Sequence, residues 1–378
     1  MTRPLGYYVH HQGAGHLQRA IALSRALETL GRPCTLMGSF AGLDTTGAPG
    51  PVLDLPDDRL DRSFDGRDGA GQRPECFHYV PLNHPGIRAR MGRIAAWAAQ
   101  NDPALIVVDV SAEVALLARL LSVPSLVVRL SGTRTDRPHL EAFRAASRLL
   151  APFPEALDGG DVPDWVREKT LYGGFLGGAP ARAAPEEDGR IVVVFGRGGE
   201  GGRLDALIEA AGAVPDRAWH VLGPVVGTGS APQNLHLHGW VTDVRPHLAP
   251  AALVVGGAGD GLVTAVAALG KRFLCLPEPR AYDEQEAKAQ ALERLGAAVV
   301  HRGWPEAGAW ADLVTRGLAL DPDVVRRLAE PDALTRTAAA IEALCRDASL
   351  EGGHAIIATS EEPHPCPPGP RGLNRIDL

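Results

Sequence analysis

Residues 5–40 read LGYYVHHQGAGHLQRAIALSRALETLGRPCTLMGSF, and this stretch decides the fold. An apolar run at 5–10 is expected to be a strand. A glycine turn, Gly13-Ala14-Gly15, follows it. Ile21, Leu23, Leu27 and Leu30 then recur near helical spacing, which predicts a helix over 17–30. Gly31 and Pro33 form a stop signal, and 34–40 is apolar again. Strand, turn, helix and strand make a βαβ unit, the building block of a parallel sheet.

The alternation repeats outward. After a Gly-, Pro- and Asp-rich stretch at 42–75, read as a long surface loop, order is expected to resume at 77–82, and strands are expected at 105–109 and 125–130. Helices are expected at 86–100, 112–121 and 140–149, and a short strand closes the unit near 170. Residues 173–189 (GGFLGGAPARAAPEEDG) have the composition of a linker. A second α/β series starts at 191. Its strands are expected at 191–195, 219–222, 235–238, 253–255, 273–277 and 298–301, with helices at 204–213, 261–269 and 283–295. One or two further helices fill 306–346. The tail 347–378, with five prolines after 360 and no periodicity, is expected to be disordered. The expected architecture is α/β: two doubly wound Rossmann-like domains, 1–172 and 190–346, facing across a cleft. Ligands of such sheets bind at the carboxyl ends of the strands, beside a topological switch point.

Composition narrows the class. The chain has 378 residues and a formal charge of −7, which argues against binding to bulk nucleic acid. Five scattered cysteines without a CxxC pair are expected to be reduced thiols. Neither a signal peptide nor a spanning apolar run is legible, so a soluble cytoplasmic protein is expected. Only three of the 38 basic residues are lysines (Lys169, Lys271, Lys288), read as a bias toward arginine codons.

Four places carry chemistry. His16 starts the first helix at the carboxyl end of the first strand. On position alone it is equally a general base or a residue packing the turn. Asp109 ends the apolar run 105–108 and would point at the same cleft. A carboxylate there could orient His16, the logic of catalytic dyads. The alternative is an N-cap for the next helix, which Ser111 could supply instead. Two glycine-rich helix starts follow in the second half, Gly196-Arg197-Gly198-Gly199-Glu200-Gly201 and Gly256-Gly257-Ala258-Gly259-Asp260-Gly261. A diphosphate between them is the economical account, although Asp260 adds negative charge there. The first matches GxGxxG, but the strand after it lacks the acidic residue of a dinucleotide site. No HExxH, Cys/His quartet or DxD is present, so no metal site is expected.

With these residues assembled, the chain resembles the GT-B glycosyltransferases, in particular the MurG-like and UDP-glycosyltransferase groups, over residues 1 to about 345. Gly13-Ala14-Gly15-His16-Leu17-Gln18-Arg19 looks like their GxGHxxR pattern. Gly239-Trp240-Val241, residues 253–261, Gly270–Pro277 and Asp283-Glu284-Gln285 look like their donor signature. The resemblance implies a metal-independent, inverting hexosyl transfer with no cofactor, the nucleotide sugar (a UDP-sugar by resemblance) serving as co-substrate. His16 would be the base and Asp109 its partner. Val241 and Val244 would face the nucleotide base. Gly198, Gly199, Gly201, Gly257, Ala258, Gly259, Asp260 and Gly261 would face the phosphates, and Glu284 and Gln285 the sugar. Gly15, Arg19, His84 and Arg134 are the acceptor-side candidates. The implied partners are the donor and a lipid or small-molecule acceptor, with peripheral membrane contact if the acceptor is a lipid. Two positions depart from the pattern. The family's ribose-binding glutamate falls on Ala265, and its phosphate-binding histidine on Gly257. A hydrolase of the same fold and a non-catalytic partner subunit are the competing readings.

Overall fold

A computed structural model describes residues 2–10, 14–59, 73–159, 161–177, 189–196 and 199–351. Gly13, Gly198, most of the expected linker and the tail beyond 351 lie outside the described residues. No helix of the described residues is long and apolar enough to cross a membrane.

The first sheet holds β1 (Leu5–Tyr8), β2 (Cys34–Gly38), β3 (Val52–Asp54), β4 (Leu105–Asp109), β5 (Ser125–Val128), β6 (Arg148–Ala151) and β7 (Thr170–Tyr172). They pair in parallel in the order β3-β2-β1-β4-β5-β6-β7. Its helices are α1 (Ala14–Thr29), α2 (Pro85–Asn101), α3 (Ala112–Leu120), α4 (Arg137–Ala145) and α5 (Asp164–Lys169). β1 and β4 are wholly buried, which is why both read as unbroken apolar runs. Leu17, Ala20, Leu23 and Leu27 form the buried stripe of α1 against them.

The second half contributes β8 (Arg190–Val194), β9 (Gly202–Arg203), β10 (Ala218–Leu222), β11 (Val225–Val226), β12 (Leu235–Gly239), β13 (Leu253–Gly256), β14 (Phe273–Cys275) and β15 (Val299–Val300). Six of these form a parallel sheet in the order β12-β10-β8-β13-β14-β15, and β9 pairs with β11 as a small ribbon. The helices here are α6 (Leu204–Ala213), α7 (Arg245–Leu248), α8 (Asp260–Leu269), α9 (Glu284–Arg294), α10 (Trp310–Leu318), α11 (Pro322–Arg326) and α12 (Ala333–Glu351). Each sheet reverses its winding once, between β1 and β4 and between β8 and β13. Both expected ligand places therefore sit at switch points.

Residues 77–82 are ordered by a side chain: the amides of His78 and Tyr79 donate to Glu113 Oε1 at 3.0 and 3.1 Å. Two expectations need correction. The loop expected at 42–75 contains the edge strand β3, short and mostly exposed, held through backbone register with β2. The last helix does not stay with the second half. Ala338, Ile341 and Cys345 of α12 are buried in the core of the first, and Arg32 pairs with Glu342 at 2.7 Å. In exchange, Ala151, Phe153, Leu157 and Phe175 enter the core of the second half. The two halves thus share core residues at both crossings of the chain.

Candidate active site

The first face is built where β1 and β4 diverge. His16 lies in the opening turn of α1, and Asp109 ends β4 with no solvent exposure. His16 Nδ1 lies 3.0 Å from Asp109 Oδ1, and Arg19 Nη2 donates to both carboxylate oxygens at 3.0 and 2.9 Å. Burial opposes the charge on Asp109. The Arg19 cation and the His16 hydrogen bond outweigh it and hold the carboxyl below the usual carboxylate range. His16 Nδ1 lies 3.0 Å from both the Asp109 carboxylate, which only accepts, and Arg19 Nη2, which only donates; a proton on Nδ1 serves the first contact and leaves Nε2 as the basic nitrogen. The N-cap alternative for Asp109 is settled: Ser111 Oγ accepts from Val114 N at 3.2 Å and caps α3. Between Asp109 and Ser111, Val110 has φ +60, costly for a β-branched residue and the kind of strain that clusters at working sites.

A cavity of about 550 Å³ opens in front of this dyad, lined by His16, His10, His78, His139 and Arg134 from the first half and by Arg280, Tyr282 and Glu284 from the second. His78, Asp136 and His139 bring three ligating atoms within 4.8 Å of one another on its wall. Their hydrogen bonds already close. His139 Nε2 lies 3.2 Å from Arg134 Nη1 and therefore accepts, which leaves Nδ1–H to donate to Asp136 Oδ2 at 2.6 Å. Burial, helped by the Arg134 cation, outweighs the Asp136 carboxylate and pushes the His139 imidazole down to about 4.

The acceptor-side candidates separate. Arg134 lines the cavity. Arg19 does not; it is buried beneath His16 as the partner of Asp109, and its side chain is 11% exposed. His84 is spent as the N-cap of α2, its Nδ1 accepting from Ile87 N at 3.2 Å. Gly15 is exposed on the first turn of α1, with open space where a side chain would start.

The second face lies across the β8/β13 switch. Gly196 and Gly199 follow β8; Gly256 ends β13, and residues 257–259 join it to α8 at Asp260. Gly201 needs its φ of +82, and a Cβ there would sit 2.8 Å from Pro224 O. Gly259 caps α8, leaving the first-turn amides of that helix without helical partners. Gly261 beside it has open space where a side chain would start. Gln285 is buried, and its Oε1 accepts from Ala258 N at 2.9 Å and Glu278 N at 3.0 Å. Ala258 and Gln285, expected on phosphate and sugar, therefore staple the loop. A Cβ at Gly257 would lie 2.7 Å from that same oxygen, so glycine at 257 is what admits Gln285. Val241 and Val244 pack against the core at the start of α7.

No family model matches the chain. It is 26% identical, over 376 aligned residues covering 92% of this chain and all of the relative, to the UDP-N-acetylglucosamine–N-acetylmuramyl-(pentapeptide) pyrophosphoryl-undecaprenol N-acetylglucosamine transferase of Cupriavidus necator. Among solved structures it is similar to MurG of Acinetobacter baumannii, with TM-score 0.62 and 19% identity over 90% of this chain and 99% of that one. It is also similar to the calicheamicin glycosyltransferase CalG4, with TM-score 0.63 and 18% identity over 91% and 98%. The protein has the GT-B fold and is similar to MurG-type transferases.

Two parts of this site escaped the sequence reading. Lys288 on α9 has no solvent exposure, and its Nζ donates to Asp260 Oδ1. That pairing resolves the charge problem posed by Asp260 at a helix start. The scarcity of lysine was the available signal. Among 38 basic residues, one of only three lysines is buried under the glycine turn. The other part is Tyr282, from a loop whose sequence carries no periodic or motif signal.

Proposed function

We propose that this MurG-like chain is an inverting glycosyltransferase, moving a sugar from a nucleoside-diphosphate donor, a UDP-sugar, to a hydroxyl of a lipid or small-molecule acceptor. The observation that carries the reading is the His16–Asp109 dyad opening on a large cavity, together with the glycine-rich turn after β8 and the glycine-rich start of α8 in the second half. His16 Nε2 takes the acceptor hydroxyl proton. The oxygen attacks the anomeric carbon with inversion. The bond from that carbon to the diphosphate breaks, and its electron pair leaves with the nucleoside diphosphate. Asp109 stabilises the imidazolium that forms. The first-turn amides of α8 and the Gly199–Gly201 backbone take the leaving charge, a role that needs no metal ion. The proposed place of action is the cytoplasm, at the membrane surface where the acceptor is a lipid. A cavity of about 550 Å³ favours an acceptor larger than water over the hydrolase alternative.

The test is release of nucleoside diphosphate from UDP-N-acetylglucosamine and other nucleotide sugars, with and without a panel of lipid and small-molecule hydroxyl acceptors. His16→Ala is expected to lower acceptor-dependent turnover ~10²–10⁴-fold while leaving donor affinity near wild type. An unchanged rate removes His16 from the mechanism.

A further inference from the structure

The loop from Glu278 to Glu284 crosses the cleft and docks on residues 131–134 of the first half. Thr133 N donates to Tyr282 O at 2.7 Å. Gly132, at φ +100, is what permits the approach, since a Cβ there would lie 2.2 Å from Tyr282 O and 3.0 Å from Glu284 Cα. On the loop itself Tyr282 and Asp283 are consecutive left-handed residues, φ 59 and 52, a backbone that persists only where its surroundings hold it. Arg134 is the centre of what holds it. Its Nε donates to Ser131 O at 3.2 Å and its Nη1 to His139 Nε2 at 3.2 Å. Its guanidinium lies over the Tyr282 ring at 4.8 Å, and its Nη2 donates to Glu284 Oε2 at 3.4 Å. The Arg134 side chain is 9% exposed and that of Glu284 24%, so the carboxylate keeps one edge open to a ligand.

From this geometry we propose that Arg134, a residue of the acceptor half, is a positioning residue for recognition of the donor sugar. It fixes the Glu284 carboxylate in one orientation, with Tyr282 as the stacking surface that keeps the guanidinium in place. The inference rests on the reading above, in which Glu284 faces the donor sugar hydroxyls. A planar guanidinium stacked on a ring is pre-organised in a way that an ammonium is not, so the site uses arginine. The arrangement also links the two substrates. Arg134 and Tyr282 both line the acceptor cavity, so an acceptor touching either one bears on the group that aims Glu284.

The experiment compares binding of UDP and of UDP-N-acetylglucosamine by calorimetry in wild type, Arg134→Ala, Arg134→Lys and Glu284→Gln, with melting temperatures taken alongside. The readout is the sugar increment, the ratio of the two affinities. The expected result is a loss of about tenfold in that increment for Arg134→Ala, with UDP affinity within about twofold of wild type. Arg134→Lys should restore part of it. Glu284→Gln should match the loss, and the double variant should add nothing further, as for two groups acting through one interaction. An increment that survives Arg134→Ala overturns the proposal while leaving the transferase reading intact. Equal losses for UDP and its sugar also overturn it, because they mark a structural role. Wild-type protein that binds neither ligand overturns the donor reading itself, and the inference with it.

Discussion

The two switch points of this molecule are built alike in backbone and oppositely in charge. At the first, between β1 and β4, a single fully buried carboxylate, Asp109, is shared between His16 and Arg19. At the second, between β8 and β13, three acids each have a cation: Asp260 with Lys288, Glu278 with Arg280, Glu284 with Arg134. The first face therefore concentrates side-chain charge on one nitrogen, as a proton transfer requires. On the second these side-chain charges are paired off, and the positive potential offered to a diphosphate belongs to the backbone amides at the start of α8. Charge that must move is set by a side chain, and charge that must be received is set by the backbone.

The comparison breaks most visibly at Asp109. Asp109→Asn keeps the shape of the dyad but removes the charge that orients His16 and accepts from Arg19. Turnover is expected to fall ~10³–10⁴-fold, the scale seen when such a carboxylate is neutralised. Stability should fall with it, because Arg19 would remain buried without a counter-ion. Nucleotide affinity should hold. A variant that loses nucleotide binding while keeping its rate would reverse the assignment of the two faces.

Lys288→Met tests the second face. The substitution keeps the length of the side chain and leaves Asp260 unbalanced. Asp260 is 37% exposed on its side chain, so the loss of stability should be about 1–3 kcal/mol, below the usual cost of breaking a fully buried pair. Donor affinity should drop as well, since an unpaired carboxylate at the start of α8 repels a diphosphate. Calorimetry with UDP and a thermal melt read the two effects separately. Unchanged UDP affinity would place the diphosphate away from α8.

What the sequence made legible follows from what each feature depends on. The doubly wound architecture was readable because buried parallel strands show as apolar runs and their turns as glycines. His16 and Asp109 were readable because both sit at the end of such a run. The partners were not. Arg19 was taken for an acceptor contact and His84 for a cavity residue, since nothing local distinguishes a surface cation from one folded under its neighbour, or a free imidazole from a cap. Lys288 and Arg134 act across separations of 28 and 150 residues, and no spacing rule reaches that far. The return of α12 to the first half was hidden for the same reason, because its helical pattern says that a face is buried and not against what.

The smallest expected effect concerns acid. Lys288 holds the Asp260 carboxyl below its ordinary value of 3.8, against the opposing pull of burial. A group whose folded pKa is depressed stabilises the fold above its unfolded pKa, and that contribution is lost as pH falls through the folded value. In Lys288→Met the opposing pull of burial is met only by the more distant Arg19 and His16. The folded pKa of Asp260 then rises, and the group ceases to stabilise the protein at neutral pH. Protonating it in the variant relieves the uncompensated charge. The gap in melting temperature between wild type and Lys288→Met should therefore narrow as pH is lowered from 7 toward 4. Melting curves across that range check it. A gap that stays constant would mean Lys288 supports the turn by packing its stem, and the electrostatic contrast between the two faces would then rest on Asp109 alone.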